Sequence, residues 1–242
     1  EGSPQWKIRV MGEFADQDED VIIPRDLVEG ALGRDIVPLE DDQISWGVDP
    51  GRGGDATGFV CRKGSRVTHL EEFHLSDLMA LTGRIFSYWE ELSDRERPSS
   101  VYVDSIGLGA GVADRLRELG LPVTDVNVSE SPSMKEKYPR LRDELWWEGR
   151  AWFESRAVHL PDTVLGRELA EELCAPLMVF TSTGKNSVES KYDMKRRGIK
   201  SPNLADALLL TMAFGGAIAA GRGGGRKAAW NRPIRRHIKG VF

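Results

Sequence analysis

The stretch Ile44–Leu75, "ISWGVDPGRGGDATGFVCRKGSRVTHLEEFHL", decides the architecture. Its first six residues form an apolar run that closes on Asp49. Pro50 and the glycines Gly51, Gly53 and Gly54 interrupt the run, so the reading is a strand ended by a tight turn. The next segment, "ATGFVCRKGSRVTHLEEFHL", predicts two more strands around the "KGS" turn. A phosphate-binding loop is disfavoured. No lysine follows these glycines, and they lead into a strand instead of a helix N-terminus.

Downstream of this three-strand opening the pattern alternates. "SDLMALTGRIFSYWEEL" is an amphipathic helix with Ser76 as its N-cap. "SSVYVD" is a strand that again ends on an acid, Asp104, before the Gly-rich "SIGLGAG" and a helix over "GVADRLREL". "GLGAG" lacks the G-x-G-x-x-G spacing of a dinucleotide site. A strand "PVTDVNV", a long helix "YPRLRDELWWEGRAWFES" and a helix over "TVLGRELAEEL" follow. Two short strands, "PLMVF" and "NSVES", flank a turn at Gly184. "SPNLADALLLTMAFGGAIAA" reads as one closing helix, with Ser201 as N-cap and Pro202 at its first position. A meander followed by alternation predicts an α/β fold. Its mixed central sheet has a three-strand antiparallel start, then parallel strands, with helices on its faces. In the long helix, Leu141, Leu145 and Trp152 share one face, so the Trp146–Trp147 pair reads as core with one tryptophan exposed, not as a base-stacking platform.

Residues 1–40 read as a lead-in, with a short helix over "IPRDLVEGALGR" opened by Pro24. Residues 41–221 form the domain, and 222–242 a basic tail expected to be disordered. The 242 residues are 40% apolar and 29% charged, enough for a sizeable core. The net charge is −5, but the tail alone carries +7, which leaves −12 on the remainder. Cys61 and Cys174 stand far apart and the four histidines form no pair at helical spacing. A disulfide framework and a histidine-based metal site are both disfavoured. The longest apolar run, Leu204–Ala220, contains Asp206 and reads as a buried helix, not a membrane span. With no signal-peptide character at the start, these features point to an intracellular, reducing compartment.

The candidate chemistry lies in acids. Asp49 and Asp104 each close a strand, and Asp206 sits in the first turn of a helix within the apolar "LADALLLT". If the first and fourth strands are adjacent and parallel, their ends lie side by side. Three converging carboxylates repel unless a cation joins them. Hard oxygen ligands fit Mg²⁺ or Mn²⁺, and two such ions about 4 Å apart can clamp the attacking and leaving oxygens of a phosphodiester. Taken singly, each acid has a plainer reading. Asp49 is a good turn residue before Pro-Gly. Asp104 serves as a cap, Asp206 answers the helix dipole, and Asp55 is a loop acid. The constellation is what favours a site.

Three segments, "GVDPGRGGDATG", "VYVDSIGLGAGVADRL" and "ESKYDMKRRGIKSPNLADALLLT", carry a resemblance. Together they resemble the nuclease domain of tailed-phage large terminase subunits, over roughly residues 8–220. The resemblance implies an RNase H-like fold and metal-dependent endonuclease cleavage of double-stranded, concatemeric viral DNA during genome packaging. It implies that Asp49 bridges two Mg²⁺ or Mn²⁺ ions, that Asp104 and Asp206 each bind one, and that Asp55 is an auxiliary acid. The implied partners are DNA, an absent N-terminal ATPase domain of the same protein to which residues 1–40 would be the linker, a portal and a small terminase subunit. No membrane is involved, and the implied location is the cytoplasm of the infected bacterium, transiently at the procapsid portal. No Walker loop occurs in these 242 residues, so no ATPase activity is expected of them.

Lys185, Lys191, Lys195, Arg196, Arg197 and Lys200 surround only Glu189 and Asp193, just before Asp206. They are candidate DNA-phosphate contacts; the plainer reading is a solvated loop. Rival functions are another RNase H-like nuclease of the Holliday-junction resolvase or transposase type, and a non-catalytic DNA- or portal-binding module. A sugar-kinase-like ATPase also begins with an acid-ended strand, but it needs two such domains.

Overall fold

The computed structural model describes residues 20–51, 55–74 and 77–215. Five strands form the central sheet: β1 (Ile44–Asp49), β2 (Thr57–Lys63), β3 (Arg66–Phe73), β4 (Ser100–Asp104) and β5 (Val123–Val126). Their order is β3-β2-β1-β4-β5. β1, β2 and β3 pair antiparallel, while β4 pairs parallel with both β1 and β5. This is the mixed sheet that the sequence predicts. A separate hairpin joins β6 (Met178–Phe180) to β7 (Asn186–Val188).

Period-two alternation sorts the strands between two cores. Trp46 and Val48 of β1, Phe59 and Cys61 of β2, and Val101 and Val103 of β4 face one layer. That layer is completed by Leu81 and Ile85 of α2 (Leu78–Glu91) and by Val112, Ala113 and Leu116 of α3 (Leu108–Glu118). The opposite face, with Val60 and Tyr102, packs against α4 (Leu141–Glu154), α5 (Val164–Cys174) and α7 (Asn203–Leu210). Asp77, not Ser76, caps α2 by accepting from the Met79 amide at 2.9 Å; Ser76 lies outside the described residues.

Helix α7 lies directly on β1 and β2, and two glycines make this possible. A Cβ on Gly47 would stand 1.8 Å from the Ala207 carbonyl oxygen, and one on Gly58 would stand 2.2 Å from that of Asn203. The helix is shorter than the sequence suggests. It stops at Leu210, and a 3₁₀ turn over Ala213–Gly215 follows with Phe214 at φ 57°. At the stop the ladder tightens: the Thr211 and Met212 amides donate to the Leu208 and Leu209 carbonyls at 3.1 and 3.0 Å, and the Thr211 hydroxyl donates to the Leu208 carbonyl at 2.6 Å. Pro202 stands at the N-cap position in place of Ser201, with no side-chain cap. The 222–242 tail lies outside the described residues.

Part of the lead-in is integral to the core. Ile22 and Ile23, with Val28 of α1 (Arg25–Glu29), are fully buried among α4 and α5 residues. Val21 and Leu32 bridge to Leu177 and Leu160. The basic segment, weighed as DNA-phosphate contacts or a solvated loop, contains a short helix, α6 (Lys191–Arg196). Its Ser190 cap accepts from the Asp193 amide at 3.1 Å and donates to the Asp193 carboxylate at 2.6 Å. That exchange is a capping motif visible as S-x-x-D in the sequence.

Candidate active site

Register brings two of the acids together. Val48 pairs with Val103, so Asp49 and Asp104 stand level at neighbouring strand ends. Parity turns both toward the α7 face, since Gly47 and Tyr102 point that way. The first turn of α7 then carries Asp206 over the same edge. Asp49, Asp55, Asp104 and Asp206 all line one cavity of about 310 Å³. Leu145, Trp146, Val128 and Leu209 form its apolar wall. Asp104 accepts from the Ile106 amide at 3.1 Å, which folds the loop entering α3. Asp55 meets the Ser201 hydroxyl at 3.4 Å.

Cations hold the buried acids. Lys191 Nζ stands 2.9 Å from Asp206 Oδ2 and 3.3 Å from Asp49 Oδ2, spanning the two. Trp146 Nε1 donates to Asp206 Oδ1 at 3.1 Å, and Arg142 Nε lies 3.7 Å from the same oxygen. Burial pushes the Asp49 carboxyl up to about 7; Lys191 opposes the shift, while Asp206 and Asp104 add to it. Burial also presses upward on Asp206, but Lys191, Arg142 and the bonds from Lys191 and Trp146 outweigh it and hold this carboxyl below its ordinary range. Two carboxyls in one buried space thus differ in direction, Asp49 raised and Asp206 lowered. Lys191 is held charged: burial disfavours its ammonium, and the two carboxylates more than compensate.

The donor set fits a hard divalent cation. Its ligands are carboxylate oxygens, their mutual repulsion calls for positive charge, and an ammonium already answers that demand. Among the described residues, no three His, Cys, Asp or Glu side chains close around a single point as they stand. With Lys191 bridging Asp49 and Asp206, a metal ion there would compete with the lysine.

The basic candidates divide. Lys191 turns inward onto the carboxylates. Arg197 is committed to Glu189 at 2.6 and 2.8 Å, and to the Ala175 carbonyl at 2.9 Å. Lys185 donates to the Lys135 carbonyl at 2.6 Å. Lys195, Arg196 and Lys200 are exposed, with Arg196 3.7 Å from Asp193. Arg142 and Trp146 are site residues that sequence reasoning missed in that role. A signal was present: Arg142 stands at i−3 and i−4 to Leu145 and Trp146, a lone cation on an apolar helix face.

The fold matches solved nuclease domains of phage large terminase subunits. The domain from bacterial virus Sf6, with manganese and β-thujaplicinol, is 24% identical at a TM-score of 0.67, over 79% of this chain and 98% of that one. The large terminase nuclease from thermophilic phage G20c, with magnesium, is 17% identical at 0.57, over 79% of this chain and 95% of that one. A calcium-bound form of the Sf6 domain is 24% identical at 0.65, with the same coverage as the manganese form. At these identities the likeness establishes the shared RNase H-like fold. No protein-family model matches the chain, and no curated protein matches it in sequence.

Proposed function

We propose that this chain is a metal-dependent endonuclease that cuts double-stranded viral DNA during genome packaging, as the nuclease part of a large terminase. The observation that carries the reading is the convergence of Asp49, Asp104 and Asp206, from two strand ends and one helix, on a single cavity. A non-catalytic module has no need to bury an electrostatically costly set of acids and balance it with a lysine. The metal ions with which the solved Sf6 and G20c nuclease domains were obtained support the same reading.

In this reading Asp49, Asp104 and Asp206 would hold two Mg²⁺ or Mn²⁺ ions, with Asp55 as an auxiliary acid. The bound ions supply Lewis-acid charge at the phosphodiester and a more acidic water. The chain's own residues do the rest. Trp146 orients Asp206 by its indole N–H. Lys191 keeps the carboxylates charge-balanced until cation and substrate arrive, and the apolar wall limits water. Exposed Lys195, Arg196 and Lys200 would serve as phosphate contacts. The ATPase domain, portal and small subunit belong to the proposal as partners.

The test is plasmid cleavage. Supercoiled DNA with the chain and Mn²⁺ should be nicked and linearised, and EDTA should stop it. Asp49→Ala, Asp104→Ala and Asp206→Ala should each lower the rate by roughly 10³-fold or more, the scale of losing one member of a catalytic set. Cleavage that survives all three substitutions would remove these carboxylates from the chemistry. An inactive parent that still binds duplex DNA would favour the binding-module reading.

A further inference from the structure

Arg142 enters the site from the first turn of α4, with its side chain only 13% exposed. Its Nη1 donates to the Glu189 carbonyl at 3.1 Å. Its Nε and Nη2 are buried and meet no hydrogen-bond acceptor among the described residues. The nearby Asp206 oxygen, at 3.7 Å from Nε, is beyond hydrogen-bond reach. It is also already engaged by Trp146, while the other Asp206 oxygen takes Lys191.

The two open donors are not an arbitrary pair. Nε–H and the adjacent Nη2–H point the same way and form the side-on edge of the guanidinium fork. That edge matches two oxygens of a phosphate or carboxylate. A buried charged group with open donors is destabilising unless a ligand completes it. Nη1 fixes the guanidinium to the backbone beside α6, so the open edge is held in place before any ligand binds.

We propose that Arg142 is a phosphate-binding residue. Its Nε–Nη2 edge grips two oxygens of the DNA phosphodiester at the cavity and neutralises the charge that builds there. This role rests on the nuclease reading for its catalytic consequence, but not for the contact itself. Arg142 faces Asp206 at 3.7 Å without a hydrogen bond to it, so the ion pair leaves the two Nε–Nη2 donors unused.

The experiment compares the parent chain with Arg142→Ala and Arg142→Lys. Duplex affinity is measured in Ca²⁺ over a salt series, Mn²⁺ affinity by calorimetry without DNA, and single-turnover cleavage in Mn²⁺. Losing one phosphate contact should reduce the slope of log affinity against log salt by about 1. Cleavage by Arg142→Ala should fall about 10²-fold, as for removal of one preorganised donor to a developing anion. Arg142→Lys keeps a point charge without the fork, so its rate should lie between the two. Mn²⁺ affinity should hold within about threefold or tighten, because a cation near Asp206 has been removed. An unchanged salt slope overturns the proposal. So does a loss of Mn²⁺ affinity that matches the loss of rate, since Arg142 would then act by positioning Asp206. A parent that fails to cleave, yet differs from Arg142→Ala in slope by about 1, sinks the nuclease reading and leaves the phosphate contact standing. If Arg142→Ala does not fold, the slope and rate of Arg142→Lys decide: parent-like values for both overturn the fork.

Discussion

Each end of helix α7 is met by a buried arginine, and the two are satisfied in opposite ways. At the far end Arg62 is 1% exposed and spends its donors within the protein. Nε and Nη2 reach the Thr211 hydroxyl and carbonyl at 2.7 and 2.9 Å, and Nη1 reaches the Gly64 carbonyl at 2.7 Å. Its guanidinium also lies 5.8 Å from the Trp152 ring centre. At the other end Arg142 makes one backbone bond and leaves its side-on edge open. Among the described residues Arg62 has no carboxylate bonded to it and is closed; Arg142 has one nearby and is not. Closed hydrogen bonding marks an arginine that serves the fold, and open donors on a cavity wall mark one that serves a ligand.

Replacing the closed arginine breaks the comparison most violently. Arg62→Met keeps much of the volume but strands the Thr211 and Gly64 carbonyls, and should cost about 3 kcal/mol of stability. Arg142→Met strands the Glu189 carbonyl and removes a charge 3.7 Å from Asp206, which keeps Lys191 and Trp146, and should cost less, about 1 kcal/mol. Urea denaturation of both variants tests this. Equal losses would mean that open donors do not distinguish the two roles.

Glu172 sharpens the contrast at the site end of α7. Its Oε2 accepts the Ala205 amide at 2.9 Å, in the first turn of the helix. Burial is the main cause that raises this carboxyl from an ordinary 4.5 to about 8. The Ala205 and Leu204 amides oppose the shift, and Asp206 and Glu72 reinforce it. Between those values the native state binds a proton that the unfolded chain releases. Stability from this group is therefore complete below about pH 4.5 and is lost as pH rises through about 8. Glu172→Gln keeps the acceptor and removes the titration. The variant should match the parent near pH 4 and exceed it by about 2 kcal/mol at pH 9, roughly half the ideal linkage because the carboxyl keeps some solvent. Parallel stability–pH curves for the two proteins would show that Glu172 is not held protonated.

What the sequence reveals here follows the range of the interactions. Asp49 and Asp104 are legible because an apolar run that stops on an acid before Pro or Gly is a local pattern. Asp206 is legible because an acid inside "LADALLLT" has to be accounted for. The inward turn of Lys191 is not legible. It depends on where β7 delivers helix α6, which is set by tertiary contacts such as Asp143 accepting from the Ser187 hydroxyl and the Val188 amide at 2.9 and 2.8 Å. Arg197 likewise reads as a surface cation until Glu189 is seen beside it. The early stop of α7 was hidden for the same reason, since "LLLTMAFGGAIAA" is helix-compatible and only Thr211 with its Arg62 partner shows where the ladder ends.

The smallest effect tests how Asp206 is held. Trp146 is 1% exposed and belongs to the core, yet its indole N–H reaches Asp206 Oδ1 at 3.1 Å. Trp146→Phe preserves most of the ring packing and deletes the donor, so the loss should be about 1 kcal/mol, the net worth of a hydrogen bond to a charged acceptor reduced by local relaxation. A double-mutant cycle with Asp206→Ala separates the two contributions. If the bond is real, the cycle returns a coupling of about 1 kcal/mol, and Trp146→Phe alone slows cleavage by displacing the carboxylate without removing it. A coupling near zero would make Trp146 a core residue only, and would leave Lys191, with Arg142 at longer range, as what fixes Asp206 over the ends of β1 and β4. The size of the coupling thus decides whether the site end of α7 is organised from the apolar wall or solely by charge.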